Sequence, residues 1–412
     1  MQLKLLCRAL TAVLLCGLFA AAAPAQTGEG GLTRAQAYAR ATALAALGRR
    51  LFSEPLLSAS GRMSCQTCHD PAHAFGPPNA LDVQLGGKDM RQPGLRAVPS
   101  LKYLQSVPQF TAHYYDSDDE GDASVDNGPT GGLTWDGRVD RHRDQALVPL
   151  LSPFEMANAT ASELAARVRG SAYAEDLRKL FGDSVLEDAQ NTARAIGSAL
   201  AVYQQDAATF YPYSSKYDAY LAGRVKLTER EARGLALFDD PGKGNCASCH
   251  LSARANDGTP PQFTDYGLIA IGVPRNRRLA ANADATFFDL GACGPLRTDL
   301  AGRAEYCGLF RTPSLRNVAL RQTFYHNGAE HDLRQAVAFY VERDTKPEKW
   351  YPRAADGRVL KFDDLPAQYR DNVNMEPPFG GHPGDAPALS AAEIDDIVAF
   401  LKTLTDGYSP PR

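Results

Sequence analysis

Apolar positions along the chain recur at helical spacing far more often than they alternate. Near the C-terminus Ile394, Ile397, Val398, Leu401 and Leu404 fall on one stripe, the pattern of a helix lying on a core. Ser390, with Glu393 three residues on, supplies a capping box at its start, and Gly407 is its expected C-cap. Thr160 with Glu163 opens another helix, running through Val168, and Thr228 with Glu231 opens a third. An Ala-rich helix is expected over 35–52, ending before Pro55, and a further one over 190–204. Strand-like alternation is scarce. The expected fold is mainly α, with long irregular loops.

The first residues read differently. Lys4 and Arg8 give a positive start before an apolar run over 9–20 that is too short to span a bilayer, and Ala23-Pro24-Ala25 looks like a small-residue cleavage site. Residues 1–25 are therefore expected to be a cleavable signal peptide, with the mature chain starting near Gln26. Leu15 stands where a lipoprotein signal before Cys16 wants a small residue. No later stretch could cross a membrane. A length of 412 residues suits two domains, and 44% hydrophobic residues is ordinary for a globular protein. A net charge of -4 gives no sign of a nucleic-acid partner.

One short stretch changes the picture. Cys65-Gln66-Thr67-Cys68-His69 reads C-x-x-C-H, the attachment signature of a c-type haem, and it returns as Cys246-Ala247-Ser248-Cys249-His250. Residues three and four apart share a helical face, so both cysteines of a motif can bond one porphyrin edge while the histidine turns under the iron. Structural zinc draws Cys and His from two separated clusters with other spacings. Two covalently bound haem c groups are expected. Cys7 and Cys16 leave with the signal, so Cys293 and Cys307 remain; in an exported protein two such cysteines most often pair, a free redox thiol being the alternative.

Each motif is preceded by the same pattern. Gly48 to Pro55 and Gly234 to Pro241 both read G-x-x-L-F-x-acid-P, and Pro99-Ser100-Leu101 reappears as Pro313-Ser314-Leu315. This internal duplication implies two cytochrome-c-like units, expected as 26–220 and 221–412 with the join near 217–226. Asp116 to Gly132 is an acidic insertion. Asp116, Asp118, Glu120 and Gly121 start like an EF-hand loop, but Asn127 stands where the closing Glu belongs, so a solvated surface insertion is expected.

Trp135-Asp136-Gly137-Arg138, then Gln145, Pro149 and Glu155, and the run from Arg311 to Gly328 resemble the bacterial diheme cytochrome c peroxidases. The chain looks closer still to their MauG-type relatives, which use peroxide to oxidise another protein. The resemblance covers nearly everything after the signal and implies a periplasmic enzyme acting on hydrogen peroxide. It implies that Trp135 carries electrons between the haems, and that Glu155 and Gln145, with Pro149 as a wall, line the peroxide face of the first haem. A base is needed there to move a proton between the two peroxide oxygens.

Fourteen residues after His326, where the peroxidases have a Met ligand to the second iron, this chain has Tyr340, as MauG-type proteins do. The next methionine is Met375. A phenolate favours oxidised iron, whereas Met raises the potential. His69, His250 and Tyr340 are thus the expected iron ligands, and the two haems are expected to share a high-valent state. The peroxidases' distal His has no clear counterpart, since neither His73 nor His113 sits in the glycine-flanked turn that carries it. The electron donor is expected to be a redox protein or protein substrate. The alternative is a conventional peroxidase fed by a small cytochrome c or cupredoxin.

Calcium stays open. The family's Asn between the domains falls at Ala97, which has no side-chain oxygen, though backbone carbonyls near Arg321 and Thr323 remain. Trp350 is either a packing residue or an entry point for electrons. A weaker resemblance, through the acidic insertion, the Cys293/Cys307 pair and the run from Asp344 to Trp350, is to the diheme enzymes of methanobactin operons.

Overall fold

Residues 32–116 and 124–410 are described by the computed structural model. The signal segment, and Asp118, Glu120 and Gly121 of the acidic insertion, lie outside the described residues. The chain divides into two units after Ala39. The described residues before that point begin helix α1; the unit from Arg40 onward carries both motifs.

Twelve α-helices occur among the described residues. The first group comprises α1 (Arg34–Phe52), the single turn α2 (Cys65–Cys68), α3 (His142–Leu151), α4 (Ala161–Arg169), α5 (Tyr173–Phe181), α6 (Ala189–Tyr203) and α7 (Ala207–Phe210). The second comprises α8 (Lys216–Leu221), α9 (Glu229–Asp239), α10 (Leu333–Glu342), α11 (Pro347–Trp350) and α12 (Ala391–Lys402). Among the described residues, strands are confined to two antiparallel pairs with two residues per strand, β1 (Leu85–Gly86) with β2 (Gln92–Pro93), and β3 (Leu268–Ile269) with β4 (Phe310–Arg311). The fold is mainly α, as the apolar spacing implies.

Each half has its own buried core. Leu51, Phe52, Leu150, Leu164, Leu177, Ile196 and Phe210 cluster in the first. Tyr217, Phe238, Phe263, Ile394, Ile397 and Phe400 cluster in the second. The repeated G-x-x-L-F pattern explains how each core is closed. At Gly48, α1 crosses α6 so closely that an added Cβ would lie 2.0 Å from Ala199 O and 2.9 Å from Tyr203 Cβ. At Gly234, α9 meets α12 the same way, 2.0 Å from Asp396 O and 2.9 Å from Phe400 Cβ. Only glycine allows such an approach. One turn later Phe52 packs edge-on to Tyr203 at 5.6 Å, and Phe238 to Phe400 at 5.3 Å. Burying each such ring contributes about 1.5–3 kcal/mol.

The capping boxes at Thr228 and Ser390 form as the sequence implies. At Thr160 the hydroxyl accepts from Glu163 N, but the Glu163 carboxylate reaches one residue further back, to Ala159 N. Gly407 is not the cap of α12. That helix ends at Lys402, capped by Thr403, because the buried Leu404 and the bond from Asn317 N to Leu404 O at 3.1 Å draw the chain back onto the core. A smaller cluster of Leu268, Ala292 and Tyr306 surrounds the Cys293–Cys307 disulfide.

Candidate functional site

The two C-x-x-C-H motifs are held by the same set of bonds. In the first, α2 ends as His69 N donates to Cys65 O at 2.9 Å; in the second, His250 N donates to Cys246 O at 2.8 Å. The ring follows suit. His69 Nδ1 bonds Phe75 O at 2.9 Å, and His250 Nδ1 bonds Phe263 O at 2.9 Å. Each of these carbonyls is fixed by the repeated Pro-Ser-Leu turn. Leu101 N donates to Phe75 O at 3.2 Å, and Leu315 N to Phe263 O at 3.3 Å. Ser100 Oγ donates to Ala74 O, and Ser314 Oγ to Gln262 O, both at 2.6 Å. A carbonyl that takes the Nδ1 proton leaves Nε2 as the metal-binding nitrogen and fixes the plane of the ring.

Desolvation pushes both imidazoles down to about 4, so they are neutral in any ordinary buffer. None of the four motif cysteines is in a disulfide. Burial pushes Cys65, Cys68 and Cys246 up to about 12, and Cys249 up to about 11. Paired neutral thiols beside a pre-oriented imidazole fit a haem at each motif.

Glu155 stands by the first motif. Its negative charge adds to the raised pKa of both Cys65 and Cys68, after the larger effect of burial. Its own pKa is raised, chiefly by desolvation, against the opposing charge of Arg138. Gln145 and Pro149 lie four apart on α3 and share a face. Met156 N returns to Pro149 O at 3.0 Å, and Gly87 N donates to Glu155 O at 2.8 Å, so the turn carrying Glu155 is tied at both ends.

Trp135 joins the two halves. Its Nε1 donates to Ala97 O at 2.7 Å, and its carbonyl accepts from Arg311 N at 2.7 Å. It lines one cavity together with His250, His326 and Tyr340. Tyr340, on α10, stacks on Phe379 at 5.5 Å. Its phenol is pushed up by desolvation, with Cys249 and Cys246 adding to the shift, and it lines the same cavity as those two thiols. It makes no hydrogen bond among the described residues. Met375 is 46% exposed, and its sulfur accepts from Arg343 Nη2 at 3.2 Å. His73 bonds Asp70 at 2.7 Å, and the exposed His113 bonds Asp126 at 2.6 Å. Trp350 is half-buried, edge-on to Phe339 at 5.3 Å, with Lys349 Nζ 4.3 Å above its ring.

Two further residues complete the site: Arg96, which carries no sequence signal of its own, and His326, from which Tyr340 is counted. Arg96 ties the halves, with Nη1 2.7 Å from Asp136 and Nε 2.6 Å from Asp289. His326 is buried, stacks on Phe310 at 3.5 Å, and leaves Nε2 unpaired. The residues do not fit a calcium ion. Ala97 offers no side-chain oxygen, and the Arg321 guanidinium, itself a cation, already bonds Thr323 O at 3.2 Å and Val98 O at 3.1 Å. No group of three or more His, Cys, Asp or Glu among the described residues is arranged to hold a metal ion.

Comparison with known proteins bears on the family and the fold. Residues 42–226 match the family model described as di-haem cytochrome c peroxidase. The chain is 36% identical over 397 residues to the methylamine utilization protein MauG of Paracoccus denitrificans, covering 92% of each. It is similar to the solved diheme peroxidase BthA of Burkholderia thailandensis, at 42% identity and a TM-score of 0.77, covering 88% of this chain and 86% of that one. A MauG-like protein associated with microbial copper homeostasis is 26% identical with a TM-score of 0.59, covering 88% of this chain and 89% of that one.

Proposed function

Since the chain belongs to the family of di-haem cytochrome c peroxidases and MauG proteins, peroxide-dependent oxidoreductases with two haem groups, we propose a particular division of labour between its two sites. Cys65 and Cys68 hold one haem covalently with His69 as iron ligand, in an N-terminal unit over 26–220 that meets the peroxide. Cys246 and Cys249 would hold the other, in an electron-transfer unit over 221–412, with His250 and Tyr340 as the iron ligands. Bound there, the haems supply the iron at which hydrogen peroxide is reduced and through which electrons are drawn.

The chain's own residues do the rest. Glu155, ionised, takes the proton from one oxygen of the peroxide and returns it to the departing oxygen. Gln145 orients the peroxide, and Pro149 closes a wall against water. Trp135, bonded to both halves, offers its indole to the electrons that pass between them. For each peroxide, two electrons and two protons give two waters. The electrons come from an external donor, which we take to be an oxidisable residue of a protein. The enzyme works in the periplasm after residues 1–25 are removed. No helix among the described residues is long and apolar enough to cross a membrane.

The observation that carries this reading is Tyr340 beside Cys246 and Cys249 in the cavity of His250, with Met375 turned away to Arg343. A second reading has support in the matched family model, which takes its name from the peroxidases: a conventional peroxidase drawing electrons from a small cytochrome c or cupredoxin. The two separate on mixing with hydrogen peroxide. The first expects the diferric protein to consume one equivalent at once. Consumption that begins only after one haem has been reduced would establish the second.

A further inference from the structure

Arg321 lies at the seam between the two halves, on the wall of the cavity that also holds Trp135 and His326. Its guanidinium bonds carbonyls of both halves. Nη2 donates to Val98 O at 3.1 Å, across 223 residues of sequence, and Nε donates to Thr323 O at 3.2 Å. No carboxylate pairs with it among the described residues. Loss of solvation draws its pKa down to about 10, which leaves it charged at neutral pH.

Backbone carbonyls converging from separate segments are the hard donors that a calcium ion takes. Here they converge on a guanidinium. The neighbouring groups are spoken for as well. Ala97 N donates to His326 O at 2.7 Å, Ala97 O accepts from Trp135 Nε1 at 2.7 Å, and Thr323 Oγ1 donates to Leu81 O at 3.2 Å. A fixed positive charge already seated on these oxygens repels a second cation and occupies its ligands.

We propose that Arg321 is the resident cation of this junction, standing in for an inter-domain calcium ion, so that the protein works without calcium. Arg321 is then a positioning residue: by holding Val98 against Thr323 it also holds Ala97, whose carbonyl anchors the Trp135 indole.

The test uses the full holoprotein. Metal analysis is expected to find less than about 0.1 calcium per chain, and exhaustive treatment with EGTA to move the unfolding temperature by no more than about 1 °C, since only a ligand that binds the native state stabilises it. The diferric absorption spectrum should not change either. Stoichiometric calcium, or a spectrum and unfolding temperature that fall with EGTA and recover with calcium chloride, would overturn the proposal. A second arm restores ligands and removes the guanidinium together, as Ala97→Asn with Arg321→Thr. This double variant is expected to bind calcium and to gain thermal stability from it. A folded double variant indifferent to calcium would count against the proposal. Should that variant not fold, the wild-type arm decides alone.

Discussion

Glu155 carries the proton in the proposed reaction, and its carboxyl titrates above the usual carboxylate range because it is desolvated. A base must be ionised to act. The rate at which the diferric protein consumes peroxide is therefore expected to rise with pH through that raised pKa and to level off above it. Glu155→Gln should lower the rate by about 10²–10⁴-fold and flatten the limb. Stopped-flow rates across pH check this, and a limb that survives in the variant would assign it to another group. At this scale the sequence is uneven. The cysteines and histidines of both motifs were legible because spacing alone defines them. The carbonyls of Phe75 and Phe263, which orient the imidazoles, were not, since any residue type presents a carbonyl. The same holds for Arg321, whose importance comes from what folding brings to its guanidinium.

The repeated G-x-x-L-F pattern shows how much of an element can be read in advance. Its existence was visible as a duplication, and so was the helix that carries it. What it is for was not, because the close crossing needs a partner helix some 150 residues away in each half, from Gly48 to Ala199 and from Gly234 to Asp396. Gly234→Ala would set a methyl 2.0 Å from Asp396 O, so α9 and α12 must separate. Destabilisation of about 1–3 kcal/mol is expected, read as a lower unfolding temperature of the holoprotein. An unchanged temperature would mean that the crossing is looser than this distance implies.

The Cys293–Cys307 bridge tests a different element, the long loop between β3 and β4. Replacing both cysteines by serine releases a closed loop of about 15 residues, for an expected loss of ~3 kcal/mol in denaturant unfolding. The C-terminus of α12 departs from the sequence expectation for a local reason. Gly407 looks like a cap, yet the buried Leu404 and its bond from Asn317 end the helix earlier.

At the scale of the whole molecule, buried polar groups join the halves beside a small apolar cluster in which Phe110 and Ala112 pack on Leu268 and Tyr306. Arg96 holds Asp136 and Asp289 together with a side chain only 7% exposed, and Trp135 bonds Ala97 on one side and Arg311 on the other. The resemblance made Trp135 legible as a bridge between the haems, but the Arg96–Asp289 pair was not legible, because nothing in one sequence says that segments two hundred residues apart meet. The central claim is an asymmetry: one iron open to peroxide beside Glu155, the other closed by the Tyr340 oxygen. Low-temperature electron paramagnetic resonance of the as-purified diferric protein and of Tyr340→Phe tests it most directly. One high-spin and one low-spin ferric signal are expected, with the low-spin signal altered in the variant; two low-spin signals, both unchanged by the substitution, would contradict it.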